Sequence, residues 1–367
     1  MVKGLYFHIP FCSHKCPYCD FLSIVAPDAN HGEYLSLLLK ELELYQDLEF
    51  DLRSIYLGGG TPSIVRPELY ADFFERLSKH VNLSGVREIS LECNPENYSL
   101  EDFRLLKMLG FNRISLGVQS LREEGLKALG RLHGVEDCLK SLDRAQRAGF
   151  DNINIDLIYG YQGQSFQELQ RELDMLASLP VTHVSFYLLT PYEDTVFGRL
   201  YQKGLLELPA DEVIASMYQL IGERLEDMGF VHYEVSNFAL AGYECLHNML
   251  YWTHEEFLGL GASAWSFIEG VRFGNSKSLK VYTQKVMSGQ KPVAYQEKLE
   301  GKESLYDYIF VALRTRRGVE KSLIGEVPEG LEDFFEVEGD RFRLNRRGML
   351  LINEVLLRLM DAILKPC

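Results

Sequence analysis

Three cysteines near the start of the chain have a spacing that could carry chemistry. Cys12, Cys16 and Cys19 form a CxxxCxxC loop directly after the first apolar strand pattern. If the three thiolates hold three irons of a [4Fe-4S] cube, the fourth iron keeps an open coordination position. An amino and a carboxylate group that chelate this iron would bring a sulfonium beside the cluster, where one electron can release an adenosyl radical. The spacing therefore predicts a [4Fe-4S] cluster that works with S-adenosylmethionine.

A zinc site is the alternative interpretation of the same loop. His8 or His14 would supply the fourth ligand in that case. Zinc sites usually combine two half-sites that lie apart in the sequence, and no second Cys/His pair with such spacing follows. The loop therefore favours the cluster over zinc.

A glycine run and a lone carboxylate follow two further strand patterns. Gly58, Gly59 and Gly60 precede Thr61, and successive glycines let the backbone approach a ligand without Cβ clashes, although a tight turn explains such a run equally well. Glu92 lies in an otherwise apolar strand. Because a buried carboxylate needs a cation or hydroxyl partners, we expect it to meet the hydroxyl groups of a ribose unless it points to solvent.

Three more polar residues occupy comparable positions after or within strand patterns. They are Gln119, Arg131 and Asp156. A surface or capping role is the alternative for each, and it is strongest for Arg131, because arginine is normally exposed.

The elements that must position these residues alternate along the first half of the chain. Short β-branched or aromatic runs predict six strands, at 4–8, 54–57, 88–93, 113–118, 152–158 and 183–189. Amphipathic segments between them predict helices at 33–45, 67–81, 100–109, 135–148 and 165–179. This pattern is typical of βα units around a parallel sheet, here an incomplete (β/α)6 barrel of the α/β class. The loops after the strands of such a barrel build the site, and the residues named above fall on that rim.

The second half of the chain predicts a smaller unit behind the barrel. A helix is expected at 211–228, a short strand at 233–236 and a helix at 303–315. Residues 335–344 indicate a two-stranded wing with its turn at Gly339 and Asp340, and 348–364 an amphipathic helix. We therefore expect a barrel over 1–235, a connecting region over 236–299 that packs on it, and a small C-terminal α+β domain over 300–367.

Composition and charge limit the class of function. Of 367 residues, 46% are hydrophobic and 25% charged, which are globular values. A formal net charge of −15 argues against a nucleic-acid partner, because phosphate binding relies on clustered Lys and Arg. Seven cysteines, no apolar signal segment and no run of about 18 apolar residues predict a protein of the reducing cytoplasm without a transmembrane segment or a disulfide framework.

The order of several short motifs resembles one known family. HIPFCxxxCxYC, GGGTP, LECNPE, GVQS, LGRLH and IDLIYG are similar to the HemN/HemW group of radical S-adenosylmethionine proteins, which contains oxygen-independent coproporphyrinogen dehydrogenases and heme chaperones. The resemblance extends from Tyr6 to about Leu364. It implies a radical S-adenosylmethionine barrel in which Tyr6, Gly59 and Glu92 contact the molecule on the cluster. The residues that it assigns to a second molecule, as in the dehydrogenases, are Tyr18, Gly60, Thr61, Gln119, Arg131, Asp156 and Thr190.

Two features separate this chain from the dehydrogenases of that group. Those enzymes have a further cysteine two residues after the third cluster ligand and a long extension ahead of the motif. This chain has Phe21 at that position and eleven residues before Cys12. The resemblance therefore favours the heme chaperones, with oxidative decarboxylation of coproporphyrinogen as the alternative.

A later segment also matches the chaperone branch of the family. Residues 247–252 read HNMLYW and fit its HNxxYW signature, which implies heme contacts from His247, Asn248, Tyr251 and Trp252. An imidazole can ligate heme iron, so His247 is the expected axial ligand, and the two aromatic rings offer flat area for a macrocycle. Cys245 and His254 are competing candidate ligands, and a packed loop with a hydrogen-bonded histidine is the alternative that needs no heme.

The expected function is that of a binding and transfer protein. The chain is predicted to hold a [4Fe-4S] cluster, S-adenosylmethionine and heme, and to deliver heme to an acceptor protein with help from a reducing electron donor. A coproporphyrinogen-processing enzyme is the second hypothesis. A radical enzyme with another small-molecule substrate is the third.

Overall fold

Seven parallel strands form the centre of a twelve-stranded sheet in the computed structural model, which describes residues 1–26 and 30–364. The strands of the chain are β1 (Val2–Ile9), β2 (Phe11–Cys12), β3 (Ile24–Val25), β4 (Phe50–Gly59), β5 (Glu88–Cys93), β6 (Arg113–Gln119), β7 (Asn152–Tyr159), β8 (His183–Leu188), β9 (Val231–Glu234), β10 (Asn237–Ala239), β11 (Phe257–Leu260), β12 (Trp265–Ile268), β13 (Val271–Asn275), β14 (Val293–Lys298), β15 (Val319–Glu320), β16 (Phe335–Glu338) and β17 (Arg341–Leu344). The large sheet has the order β14-β13-β12-β11-β1-β4-β5-β6-β7-β8-β10-β9.

Helices follow the barrel strands as the βα pattern predicts. They are α1 (His31–Leu42), α2 (Pro67–Leu77), α3 (Leu100–Met108), α4 (Glu123–Ala128), α5 (Val135–Arg147), α6 (Phe166–Leu176), α7 (Val196–Gln202), α8 (Asp211–Asp227), α9 (Leu246–Trp252), α10 (Leu279–Met287), α11 (Lys302–Ala312), α12 (Lys321–Ile324), α13 (Arg346–Leu350) and α14 (Ile352–Leu364). Strands β1, β4, β5, β6, β7 and β8 are parallel to their barrel neighbours. The prediction of an incomplete (β/α)6 barrel is therefore confirmed.

The two faces of the barrel strands differ in chemistry. A parallel sheet that is covered on both faces usually reads as a continuous apolar run. Here the residues that face the helices are apolar and fully buried, namely Ile55, Leu57, Leu91, Ile114, Leu116, Ile153 and Ile155. The alternate residues face the inside of the barrel and are mostly polar, namely Ser54, Tyr56, Glu92, Ser115, Asn154 and Asp156. This alternation marks the inside of the barrel as a binding surface rather than a packed core.

Residues 237–298 extend the sheet of the barrel. Strand β11 pairs in parallel with β1, and strands β12, β13 and β14 continue from it in antiparallel order. At the opposite edge, β10 pairs antiparallel with both β8 and β9. The region predicted as a connector over 236–299 thus contributes strands to the main sheet, while the domain boundaries at 235 and 299 stay a prediction.

The C-terminal part contains the expected wing. Strands β16 and β17 pair antiparallel across a turn at Gly339 and Asp340, and β15 completes a three-stranded sheet. The helix predicted at 348–364 is divided at Leu351 into α13 and α14. None of the helices in the described ranges has the length and apolar character needed to cross a bilayer.

Candidate functional site

A cavity of about 370 Å³ opens at the carboxyl ends of the barrel strands. Most of the residues that the sequence predicts for the site line this one cavity: Cys12, Cys16, Tyr18, Cys19, Gly59, Gly60, Thr61, Glu92, Gln119, Arg131, Asp156 and Thr190. They come from loops and strand ends that lie far apart in the sequence. The parallel sheet brings them together because all its carboxyl ends meet at the same rim.

Two sulfurs of the cysteine loop receive hydrogen bonds from outside the loop. The hydroxyl of Thr61 donates to Sγ of Cys12 at 3.3 Å, and Nη1 of Arg131 donates to Sγ of Cys16 at 3.2 Å. Arg131 also donates through Nη2 to the side-chain oxygen of Asn94, at 2.8 Å. Hydrogen bonds and positive charge next to cluster sulfurs stabilise the reduced form. These donors therefore fit a site for an electron-accepting cluster.

The positions of the thiols suit a cluster better than a single zinc ion. Within the described residues, no three His, Cys, Asp or Glu side chains could share one metal ion. In a cube each thiolate binds a different iron, so the thiols surround a volume and need not converge on a point. His8, one of the two candidate fourth zinc ligands, is buried, with Nε2 at 3.0 Å from the carbonyl oxygen of Leu22 and Nδ1 at 3.1 Å from the hydroxyl of Tyr6. His14, the other candidate, lines the cavity with the three cysteines. The cluster stays the favoured prediction, with zinc as the alternative.

The thiols of the cysteine loop are expected to lose their protons only when iron binds. Burial raises the pKa of Cys12 and of Cys19 above the ordinary value of a thiol. Both are therefore protonated at neutral pH until a metal displaces the proton, because metal ligation requires the thiolate. Loading of the site is expected to release protons.

The glycine turn after β4 lies against the cysteine loop. Gly59 has a φ of +119°, which side-chain-bearing residues rarely adopt, and its N–H donates to Oε2 of Glu92 at 3.1 Å. A Cβ on Gly60 would lie 2.8 Å from the carbonyl oxygen of Phe11 and 3.0 Å from Sγ of Cys12. The turn is therefore made of glycines for two reasons, a positive φ and a close backbone approach.

Two buried carboxylates face the cavity. Glu92 accepts from the hydroxyl of Tyr56 at 3.0 Å, and Asp156 accepts from Ser115 at 3.0 Å and Asn154 at 2.9 Å. Burial raises the pKa of Glu92 to about 7, and the negative charge of Asp156 adds to the shift. Burial also raises the pKa of Asp156. Two carboxylates held by hydroxyls and amides suit a positively charged ligand that carries hydroxyl groups, as an adenosyl sulfonium does.

Gln119 enters the cavity from a strained backbone. Its φ is +70°, a conformation that costs a non-glycine residue roughly 1–3 kcal/mol. The next residues are fixed by Glu172 of α6, whose Oε1 accepts from the hydroxyl of Ser120 at 2.7 Å and from the N–H of Leu121 at 2.5 Å. Burial raises the pKa of Glu172 to about 7. This carboxylate, which the sequence did not single out, therefore holds the turn that presents Gln119.

Other residues of the cavity also escaped the sequence analysis. Tyr56, Asn94, Ser115, Tyr187 and Tyr192 line it. A signal was available for Tyr56 and Ser115, because each alternates with apolar residues in a strand and so shares the face of the predicted site residues. Tyr187 and Tyr192 lie around the end of β8, where no motif marked them.

The segment predicted to bind heme lies away from this cavity. Helix α9 packs inside the barrel toward the amino ends of β1 and β4, and only 1% of the surface of His247 is exposed. Its Nδ1 is 2.9 Å from Oγ of Ser54 and its Nε2 is 2.8 Å from the hydroxyl of Tyr251. Burial and the positive charge of Arg113 lower the pKa of His247 to about 3, so the ring is neutral. Both ring nitrogens are engaged, and the axial role of His247 stays a prediction that requires these contacts to open.

The two competing heme ligands are engaged as well. Cys245 is fully buried, with Sγ at 3.5 Å from Oε1 of Glu88. Nε2 of His254 lies 2.8 Å from Oδ2 of Asp307 in α11. Tyr6, which the family resemblance places on S-adenosylmethionine, does not line the cavity, and its ring packs beneath that of Tyr56 with centroids 6.1 Å apart.

Known proteins resemble this chain in sequence and in architecture. The sequence profile of the radical SAM superfamily matches residues 6–176. The heme chaperone HemW of Bacillus subtilis is 35% identical over 371 residues, covering 96% of this chain and 98% of that protein. HemW of Lactococcus lactis is 36% identical, covering 86% of this chain and 83% of that protein. Among solved structures, the coproporphyrinogen III oxidase HemN of Escherichia coli superposes with a TM-score of 0.83 at 23% identity, over 98% of this chain and 90% of that one.

Proposed function

Because the chain belongs to the radical SAM superfamily and, within it, to the HemW family, we propose that it is a heme chaperone that binds a [4Fe-4S] cluster, S-adenosylmethionine and heme. The observation that carries the proposal is the identity of 35% to the Bacillus subtilis heme chaperone across almost the full length of both proteins. The cavity supports it, since cysteines, glycines and carboxylates in the expected places meet at one rim.

Different residues of the cavity are proposed to bind the cluster and S-adenosylmethionine. When bound, the cluster supplies one electron to a sulfonium compound on its open iron. Cys12, Cys16 and Cys19 hold the cluster, and Arg131 and Thr61 donate hydrogen bonds to the sulfurs. Glu92 places a carboxylate beside the S-adenosylmethionine on the cluster. A second molecule beside Tyr18, Gln119, Asp156 and Thr190 stays a prediction.

Binding of S-adenosylmethionine is expected to strengthen as pH rises through about 7. The pKa of Glu92 is raised to about 7, so its carboxyl is neutral below that pH and negative above it, and only the negative form attracts a cation. Between pH 6 and 8 the ionised fraction rises about tenfold, which sets the expected change in affinity. Equilibrium dialysis at both pH values measures it.

The Glu92→Gln variant is the control for that pH dependence. Gln keeps the shape and an acceptor oxygen but cannot ionise. We expect weaker binding that no longer follows the ionisation of Glu92, so that only the titration of the ligand itself remains. An unchanged pH profile in this variant would assign the dependence to another group, with Asp156 the first candidate.

Heme is proposed to bind at the HNxxYW segment or at the mouth of the cavity. In the described arrangement both ring nitrogens of His247 are in hydrogen-bond contact, so ligation of heme iron by this residue requires α9 to move. The mouth of the cavity carries exposed apolar side chains, among them Phe21, of which 63% of the surface is exposed, Leu188 and Tyr192. A flat apolar macrocycle gains from covering such surface.

The partners that we propose are an acceptor protein for heme and a reducing electron donor. The six cysteines in the described part of the chain are free thiols, which suits a reducing compartment, and we infer the cytoplasm as the location. The net charge of −15 suits a docking partner with a basic surface.

Oxidative decarboxylation of coproporphyrinogen is the second candidate function. The likeness to HemN supports it at the level of the fold only, since the identity is 23%. Phe21 occupies the position where the resemblance places a further cysteine in those dehydrogenases. The candidate is therefore weaker than the chaperone.

One pair of assays separates the two functions. Anaerobically reconstituted full-length protein is titrated with heme, and a second sample is incubated with coproporphyrinogen III, S-adenosylmethionine and dithionite. We expect a Soret band that saturates with heme and no vinyl-containing product. Product formation without heme binding would reject the chaperone proposal. Repeating the titration without the cluster shows whether heme binding depends on it.

A further inference from the structure

The HNxxYW segment forms the floor of the barrel rather than a surface loop. Helix α9 approaches β1 so closely that a Cβ on Gly4 would lie 2.4 Å from Cδ1 of Leu250 and 3.2 Å from Cε1 of His247. The carboxylate of Glu88 accepts from the N–H groups of Leu246 and His247 at 2.9 and 3.1 Å and so fixes the start of the helix. The segment is therefore positioned as part of the barrel interior.

The imidazole of His247 is held in one orientation. Ser54 of β4 lies within hydrogen-bond distance of Nδ1, and Tyr251, one turn further along α9, lies within hydrogen-bond distance of Nε2. A ring with both nitrogens engaged cannot turn without breaking a buried hydrogen bond, which costs free energy. Its flat face is thus a fixed surface inside the barrel.

That surface supports the tyrosine that binds Glu92. The ring of Tyr56 stacks on His247 with centroids 5.2 Å apart and planes 26° apart, and the ring of Tyr6 lies next to both, 6.1 Å from Tyr56 and 6.3 Å from His247 between centroids. The hydroxyl of Tyr56 donates to Oε1 of Glu92, while the N–H of Gly59 donates to Oε2. One continuous set of contacts therefore leads from His247 to Tyr56, to Glu92 and to the glycine turn.

The packing at Gly58 leaves no room for a side chain between Glu92, Tyr56 and Tyr6. A Cβ on Gly58 would lie 3.0 Å from Oε1 of Glu92, 3.0 Å from the ring of Tyr56 and 3.0 Å from the ring of Tyr6. Closely packed interiors transmit displacements instead of absorbing them. If the His247 ring is removed, Tyr56 loses its support and the carboxylate of Glu92 loses a fixed donor.

We propose that His247 and Tyr56 are positioning residues for S-adenosylmethionine, which hold the carboxylate of Glu92 and the N–H of Gly59 at the end of the cavity where this ligand binds. The role belongs to the described arrangement of α9 and does not require contact with heme. The identity of the ligand rests on the proposed function.

The test compares four variants of the full-length, cluster-loaded protein under anaerobic conditions. Tyr56→Phe removes only the hydroxyl that binds Glu92, His247→Ala removes the supporting ring, His247→Phe restores a flat ring without the nitrogens, and the double variant combines Tyr56→Phe with His247→Ala. The affinity for S-adenosylmethionine is measured by equilibrium dialysis. Paramagnetic resonance of the reduced cluster, with and without S-adenosylmethionine, reports whether the ligand reaches the iron.

The proposal predicts a defined order of effects. Tyr56→Phe and His247→Ala each weaken binding about tenfold, the change expected when one hydrogen bond to a charged group is lost. His247→Phe recovers part of the affinity. The double variant is no weaker than the weaker single variant, because both act through the same contact. The resonance change on adding S-adenosylmethionine needs correspondingly higher concentrations in each variant.

A matched control separates positioning from general damage to the fold. His232 is a half-buried histidine, stacked on Phe238 with centroids 4.2 Å apart, and it does not line the cavity. His232→Ala should leave the affinity unchanged, and an equal loss in this variant would overturn the proposal.

Two other outcomes have distinct meanings. If His247→Ala alters the heme spectrum while affinity and cluster resonance stay as in the wild type, His247 acts on heme iron and the positioning role is rejected. If the wild-type protein itself does not bind S-adenosylmethionine, the proposed function fails before any variant is compared.

Discussion

The Cys16→Ala variant is expected to lose the visible absorbance of the cluster and most of its bound iron. Cys93 of β5 also lines the described cavity but lies outside the CxxxCxxC loop, so the substitution leaves the loop with two thiolates for a cluster that needs three. It also leaves the guanidinium of Arg131 without the sulfur to which it donates. Iron and sulfide per chain, measured after anaerobic reconstitution, should fall to near background, and binding of S-adenosylmethionine at the iron should be lost with them.

Cys138→Ala is the matched control for this loss. Cys138 is fully buried in α5, away from the cavity, where it packs as a small apolar side chain. Its removal should lower stability slightly and leave the iron content unchanged. A complete cluster in Cys16→Ala, or an equal loss of iron in Cys138→Ala, would contradict the assignment of the three ligands.

The Gly59→Ala variant is expected to show the second large effect, a loss of S-adenosylmethionine binding together with lower stability. At a φ of +119° an alanine carries a backbone cost of roughly 1–3 kcal/mol. Its Cβ would also lie 2.8 Å from Cε1 and 2.9 Å from Nδ1 of His8, closer than packed atoms approach. The turn must therefore shift and withdraw its N–H from Glu92. We expect the affinity to fall by more than about tenfold, the value of one charge-assisted hydrogen bond.

Gly163→Ala separates the backbone cost from the loss of contacts at the site. Gly163 has a φ of +82° and no atom within 4 Å of its missing Cβ. Denaturant unfolding should show a modest loss of stability in this variant, and equilibrium dialysis should show wild-type affinity. If both variants bind S-adenosylmethionine normally, the glycine turn is not part of the binding site.

The barrel could be predicted from the sequence because its elements carry strong local signals. The strand predicted at 88–93 is observed as Glu88–Cys93, and the helix predicted at 211–228 is observed as Asp211–Asp227. Strand β4 begins four residues before the predicted strand at 54–57, because two of its first four residues, Asp51 and Arg53, are charged and interrupt the apolar run. The periodicity of apolar residues thus predicted which elements form. It did not predict where they end, because their ends depend on contacts with other parts of the chain.

Strands β11, β12, β13 and β14 were not predicted. They are four to six residues long, β11 and β13 each contain a glycine, and β14 is exposed along most of its length. An exposed strand has no buried face and therefore no apolar alternation to detect. Its position is decided by pairing with a neighbour that is close in space only after folding.

The residues of the site were predictable where a motif combined with a position at the end of a strand. Cys12, Glu92 and Asp156 are examples, and each lines the cavity. The burial of His247 could not be predicted, because the sequence of a seven-residue helix does not show whether the helix packs inside or outside a barrel. Glu172 was also missed, since its partners Ser120 and Leu121 lie about fifty residues away in the sequence.

The position of α9 has a consequence for the order in which ligands exchange. With this helix across the floor, a molecule that rests on Glu92 has to leave past the rim formed by the cysteine loop and the end of β8. A macrocycle spread over Phe21 and Tyr192 would then lie across the exit. In that case the ligands exchange in a fixed order, in which the molecule on Glu92 enters before the macrocycle and leaves after it. The residence time of the molecule on Glu92 is then set by the rate at which the macrocycle is transferred.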